Sequence, residues 1–150
     1  MEIADLPGES AGELLTLQRA AFVTEAQLYE DVRLPALTQT LGELAAELAA
    51  LRCLGAWAGH RLVGSVRARA HDAVLHVGRL VVAPDLQGTG IGSRLLAAIE
   101  AGSGCGRAEL FTGSRSEGNL RLYRRRGYIE ERREQVHPKL QLVHLAKSLP

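Results

Sequence analysis

The sequence predicts an α/β (α+β) fold in which a mixed, mostly antiparallel sheet is flanked by helices, with the element order ααβββαβαββ. Three observations lead there. The apolar period switches from helical spacing to alternation after Leu51; a glycine-rich turn, Gln87 to Gly92, joins a β-like run to a helical one; and no repeat, low-complexity tract or linker divides the 150 residues. A chain of this length buries one continuous core and divides poorly into two, so residues 1–150 are expected to form a single domain.

Ser10-Ala11-Gly12-Glu13 has the pattern of a capping box, and Leu14, Leu17, Ala21 and Leu28 follow at helical spacing. They predict a first helix from about Ala11 to the mid-twenties. A polar stretch, Tyr29 to Thr38 with Pro35, follows it. Thr40-Leu41-Gly42-Glu43 repeats the capping pattern and opens a second helix with Leu41, Leu44 and Leu48 on one face. Cys53 to Ala58, the turn signal Gly59-His60, and the alternation of Leu62, Gly64, Val66 and Ala68 with Val63, Ser65, Arg67 and Arg69 predict a hairpin. The next strand, Val74 to Val82, contains Gly78, which in a strand interior marks a bulge or a close backbone approach. Beyond the glycine turn, Ile91, Leu95, Ala98 and Ile99 form a helical face that stops near Gly102. A short strand, Ala108 to Thr112, and a short helix, about Glu117 to Arg126 closed by Gly127, come next. Strands at about Tyr128 to Val136 and Leu140 to Lys147, bent at Pro138, complete the order.

Composition narrows the function. No run approaches the ~18 apolar residues of a membrane span, and the opening MEIADLPGES is acidic where an export signal is basic and then apolar. A cytoplasmic address and no membrane partner are expected. Cys53 and Cys105 are isolated and read as small buried apolar residues, and the five histidines show no ligand spacing, so no metal is expected. Charge is uneven: residues 1–50 hold nine acids and two bases, residues 51–150 eight acids and sixteen bases. Such asymmetry suggests two surfaces for two differently charged ligands.

The glycine turn selects among phosphate-binding loops. A Walker A loop needs Lys before its Ser or Thr, whereas here Arg94 follows Ser93. A dinucleotide fingerprint needs GxGxxG, and counting from Gly90 the third glycine position holds Leu95. What survives is an anion cradle. Glycines admit the ligand close to the backbone, amides of Gly88, Gly90, Gly92 and Ser93 can point at a pyrophosphate, and the helix N-terminus adds about half a positive charge.

The string Gln87-Gly88-Thr89-Gly90-Ile91-Gly92, after a β-run ending Val82-Ala83-Pro84, resembles the Q/R-x-x-G-x-G/A motif of the GNAT superfamily of acetyl-CoA-dependent N-acetyltransferases. The family's second signature is matched by Asn119-Leu120-Arg121-Leu122-Tyr123, with Arg124-Arg125-Arg126-Gly127-Tyr128 behind it. The element order agrees over nearly the whole chain, so the resemblance implies the GNAT acyl-CoA N-acyltransferase fold and an acyltransferase using acetyl-CoA as cosubstrate. It further implies that Leu80, Val81 and Val82 offer main-chain hydrogen bonds to the pantetheine arm, that Gln87, Gly88, Thr89, Gly90, Ile91, Gly92 and Ser93 hold the pyrophosphate, and that Asn119 contacts the cofactor. One departure stands out: many relatives place the asparagine seven residues before the tyrosine, and Asn119 is four before Tyr123. Gly78 is the expected site of the bulge that in relatives opens the sheet.

Chemistry assigns further roles. An alkylammonium of pKa ~10.4 must lose its proton before attack, which costs about 4.6 kcal/mol at pH 7. The departing thiolate needs a proton in turn, and the resemblance makes Tyr123 the general acid. His76, on the strand expected to bulge, is the expected base, with Glu25, Glu30 and Asp31 as alternatives that could instead attract a cationic acceptor. Glu25, Tyr29 and Glu30 are the expected acceptor-binding residues, since the first fifty residues help to form that site in relatives. Arg121, Arg124, Arg125, Arg126, Arg132 and Arg133 could place one or two guanidinium groups near the nucleotide 3′-phosphate. The expected partner is a small-molecule or peptide amine acceptor. The arginine-rich segment lacks interleaved aromatics, so no nucleic acid is expected, and C-terminal edge strands could pair in a homodimer. A second reading keeps the cradle without turnover, as a non-catalytic acetyl-CoA-binding sensor or scaffold.

Overall fold

The computed structural model describes residues Met1–Pro150. Its strands are β1 (Glu2–Asp5), β2 (Arg52–Ala58), β3 (Arg61–His71), β4 (Val74–Val82), β5 (Arg107–Gly113), β6 (Ile129–His137) and β7 (Leu140–Ser148). The helices are α1 (Ala11–Tyr29), α2 (Pro35–Thr38), α3 (Leu41–Ala50), α4 (Ile91–Glu100) and α5 (Glu117–Arg125). One seven-stranded sheet runs β1-β2-β3-β4-β5-β7-β6, antiparallel except where β4 meets β5.

Two elements differ from the sequence expectation. β1 is a four-residue edge strand whose residues Glu2 to Asp5 pair with Trp57 to Leu54; it is too short to show a period and exists because β2 offers it a free edge. The polar stretch before α3 holds the single turn α2, opened by Pro35. The two capping patterns also diverge. Thr40 and Glu43 close a reciprocal box, each side chain accepting from the other's amide at 3.2 and 2.9 Å. Ser10 makes no side-chain cap: its backbone is not extended (φ −87°, ψ 4°) and its amide donates to the Pro7 carbonyl at 3.0 Å, while Glu13 accepts the backbone amide of Leu62 on β3 at 2.8 Å.

The core lies on both faces of the sheet. Leu95, Leu96 and Ile99 of α4 are fully buried on one face, and Leu14 of α1 and Leu44 of α3 on the other. Each such side chain contributes about 1.5–3 kcal/mol of hydrophobic stabilisation. Alternation along β3 sorts its residues between the faces. A Cβ on Gly64 would lie 2.9 Å from Leu95, so even positions face α4, while Arg67 reaches Gln18 of α1 and faces the other way.

Two irregularities in β4 shape everything that follows. Ser65 pairs with Val81 and Arg67 with Gly78, so Val66 alone faces two residues, Arg79 and Leu80. The bulge therefore falls just past Gly78, which keeps a regular partner, and Arg79 takes a left-handed φ of 51°. Beyond this, β4 pairs with β5 only over Val74 to His76 against Arg107 to Glu109. The remainder of the two strands diverges and opens the sheet. At the far side β6 is the edge strand, but its nine residues Ile129–His137 carry six charged or histidine side chains, a composition that disfavours edge pairing.

Candidate active site

A cleft of about 890 Å³ lies along the end of β4 that has parted from β5. Leu80, Val81 and Val82 form one wall. Phe22, Glu25 and Leu28 of α1 form another; Gln87, Gly88, Gly90, Ile91, Gly92 and Ser93 supply one end, and Ser116, Asn119, Leu122 and Arg126 close the α5 side. The structure thus gathers the glycine turn, the end of β4 and Asn119 in one place. Thr89 lines nothing; its hydroxyl donates to the Leu86 carbonyl at 2.6 Å and fastens the turn. Arg61, from the β2–β3 hairpin, forms a two-pronged pair with Asp85 at 2.7 and 2.9 Å and ties the approach to the turn. That guanidinium holds the Asp85 carboxyl below the usual carboxylate range.

The turn leaves its donors free. Gly90 is the N-cap of α4 with φ of 92°, and having no side chain it cannot satisfy the amides of the first helical turn. Nothing lies within 4 Å of where a Cβ on Gly88 or Gly90 would sit, so the backbone is open to a ligand. Uncapped amides, the helix dipole and an Arg126 Nε buried without a hydrogen-bond partner suit a diphosphate. Of the other arginines, Arg121 and Arg125 also line the cleft. Arg124 and Arg133 face Glu130 and Arg132 faces Glu134, which turns them to surface ion pairs.

Tyr123 is buried on the inner side of α5, with its ring 6.0 Å from that of Tyr128. Tyr128 donates to Glu100 at 2.7 Å, whereas no protein group hydrogen-bonds the Tyr123 hydroxyl. Burial pushes the Tyr123 phenol above its ordinary pKa, and the Glu25 carboxylate pushes it the same way. Asn119 is held by its amide to the Thr112 hydroxyl at 3.2 Å.

The remaining candidates separate. Glu25 is on the cleft wall, accepting the Ser116 hydroxyl at 2.5 Å. Tyr29 is 2% exposed and shares a 2.6 Å hydrogen bond with the same Ser116, while its oxygen accepts the Arg115 amide at 3.0 Å. It braces the α5 N-terminus and is not presented to the cleft. Glu30, at the C-cap of α1, is exposed and pairs with Lys139 at 3.4 Å, outside the lining. His76 alternates with buried Leu75 and Val77 and so points to solvent, opposite Glu109, before the strands part. The structure does not bring it to the cleft. Asp31 pairs with His137, the last residue of β6, at 3.0 Å, and the Arg33 amide, with that histidine, keeps its carboxyl below the usual range. Ser116 is the residue that sequence reasoning missed, and it stands seven residues before Tyr123.

Tyr29 depends on Gly113, where an added Cβ would collide with its hydroxyl. Gly113→Ala is expected to expel the ring, break the Ser116 and Arg115 hydrogen bonds, and destabilise the fold by about 1–3 kcal/mol, read as a lower urea midpoint. A midpoint unchanged from wild type would show that the contact gives way freely.

Residues 25–149 match the family model described as acetyltransferase (GNAT) domain. No curated protein matches the chain at a significant level. Solved structures do. The PaiA N-acetyltransferase of Thermoplasma acidophilum, in complex with coenzyme A, superposes with a TM-score of 0.82 at 18% identity over 98% of each chain. YncA, a putative acetyltransferase of Salmonella typhimurium with its cofactor acetyl-CoA, gives 0.80 at 15% identity over 100% of this chain and 94% of its own. A ribosomal-protein-alanine N-acetyltransferase of Brucella melitensis gives 0.78 at 18% identity over 99% and 100%. These structures share the fold, and the family model, spanning most of the sequence, places the chain as an acyltransferase of the GNAT acetyltransferase family.

Proposed function

We propose that this chain moves the acetyl group of acetyl-CoA to a primary amine of a small molecule or peptide by direct attack in a ternary complex. One observation carries the reading: the split between β4 and β5 puts the backbone of Leu80 to Val82 and the uncapped N-terminus of α4 on a single cleft. Acetyl-CoA, when bound, supplies an activated thioester. The amides of Ile91, Gly92 and Ser93 would hold its pyrophosphate, and the β4 main chain its pantetheine arm. Asn119, and the arginines Arg121, Arg125 and Arg126, complete the binding wall.

Glu25 takes the amine-facing role in this reading, because it alone of the proposed bases lines the cleft. Its Oε2 is fixed by Ser116, and Oε1 has no protein partner, so it can accept a proton of the incoming ammonium. Lowering the ~4.6 kcal/mol of deprotonation is the service it would perform. Tyr123, next to the cleft-lining Leu122 though not itself in the lining, is the general acid for the departing sulfur in this reading: burial of the residue keeps its phenol protonated, and its hydroxyl has no protein acceptor. A cytoplasmic setting fits the free thiols of Cys53 and Cys105. The test is release of coenzyme A thiol across an amine panel, with acetylated products identified by mass. Amine-dependent release is expected; tight acetyl-CoA binding without release for any amine would return the chain to the sensor reading.

A further inference from the structure

Two arginines beside the β4 bulge have no part in the cofactor cleft. Arg67 is 2% exposed; its Nη2 donates to Gln18 Oε1 at 2.8 Å, and its Nε lies 3.1 Å from Glu47 Oε2 without hydrogen-bond geometry. Arg79, the bulge residue itself, has a sealed Nε without a partner, and no protein acceptor takes a hydrogen bond from its guanidinium. Burial lowers the pKa of both, and the Arg79 charge lowers that of Arg67 further. Glu47 is the one carboxylate whose charge acts on either.

The surrounding polar atoms are committed. Gln39 donates to Glu47 Oε1 at 2.8 Å, and Gln18 donates to the Ala36 carbonyl at 2.8 Å and to Gln39 at 3.0 Å. The Cys53 thiol, pushed up to about 11 by burial, stays neutral. Two guanidinium groups, Arg67 buried and Arg79 half-buried, therefore share one carboxylate, the half-exposed Glu47, leaving one positive charge in excess. An unpaired charge drawn partly out of water is unfavourable, and a non-glycine residue at φ of 51° adds backbone strain. Both penalties fall on Arg79, the covalent neighbour of Leu80, which lines the cleft. The pair faces α1 and α3, on the sheet side opposite the α4 cradle.

We infer that Arg79, backed by Arg67, receives a carboxylate carried by the acceptor, so that the substrate class is the zwitterionic amino acid. The inference rests on the acetyl-transfer reading and narrows it. In this reading Glu25, on the cleft wall, takes the ammonium, and Arg79, next to the cleft-lining Leu80, takes the carboxylate of the same small molecule. A planar guanidinium without a protein acceptor matches a carboxylate with two parallel hydrogen bonds, which a lysine at the same place could not make.

The experiment compares each of alanine, leucine, phenylalanine and lysine with its own carboxamide. Intrinsic reactivity favours the amides, whose amines are less basic, so preference for the acid must come from the site. Expected for wild type is a kcat/KM about 10- to 100-fold higher for at least one acid than for its amide, and in Arg79→Gln a collapse of that ratio through KM, with acetyl-CoA affinity unchanged. Calorimetry of the same acids and amides on the coenzyme A-bound protein gives a readout independent of turnover. Acids binding tighter than amides without any transfer would sink the transfer reading and keep this one. Transfer or binding that treats acid and amide alike overturns it in wild type alone, whatever the variant's folding, and so does an Arg79→Gln protein that retains the wild-type preference.

Discussion

Tyr123→Phe is expected to lower kcat by about 10²- to 10³-fold and to leave acetyl-CoA affinity unchanged. The phenol is raised above its ordinary value of 10.0 by burial and by Glu25, while a leaving thiol has a pKa near ~8.5. Full transfer to a finished thiolate is thus uphill by at least about 2 kcal/mol. The proton is useful while the carbon–sulfur bond is breaking, which is why the expected loss sits in the lower part of the range for general catalysis. The sign of the shift yields a pH test. A raised pKa keeps the phenol protonated through neutral and mildly alkaline solution, so no alkaline fall in kcat below about pH 10 belongs to Tyr123. A wild-type fall near pH 8 that disappears in Tyr123→Phe would contradict the assignment, as would a variant turning over at the wild-type rate.

The second large effect is on binding. Gly90→Val is expected to weaken acetyl-CoA by about 10- to 100-fold in calorimetry, the loss of one or two charge-assisted hydrogen bonds. Its side chain would enter the open space over the turn, and its φ of 92° would be strained for any L-residue. Gly59→Val separates the two effects. Gly59 also has a left-handed φ, 63°, and open space around it, but it lies in the β2–β3 turn. It should show a similar loss of stability with normal affinity. Equal affinity in both variants would remove the cradle.

What the sequence disclosed follows the range of each signal. Strict alternation and helical spacing are local, and they located β2 to β7, α1, α3, α4 and α5 close to their observed limits. Glycines with positive φ are local too, and Gly88 and Gly90 marked the cradle. The bulge was legible only to within a residue, because Gly78 signals freedom while the register is decided by pairing with β3, and pairing put Arg79 out of line. β1 and Ser116 were not legible, since each acquires its role from a distant partner: β2 for one, Glu25 and Tyr29 for the other. His76 misled for the complementary reason. Its residue type suited a base, but it sits in the last paired position of β4 and β5 and a period of two sends it to solvent.

Only three residue pairs, Val74–Arg107, Leu75–Ala108 and His76–Glu109, join β4 to β5. The molecule is mechanically a pair of plates riveted along one short seam, with the rest of the boundary left for a visitor to bridge. Whatever fills that boundary completes the missing rungs, and so acts as a temporary structural member as well as a reactant. A ligand that hydrogen-bonds along that boundary is therefore expected to raise the unfolding temperature of the whole sheet.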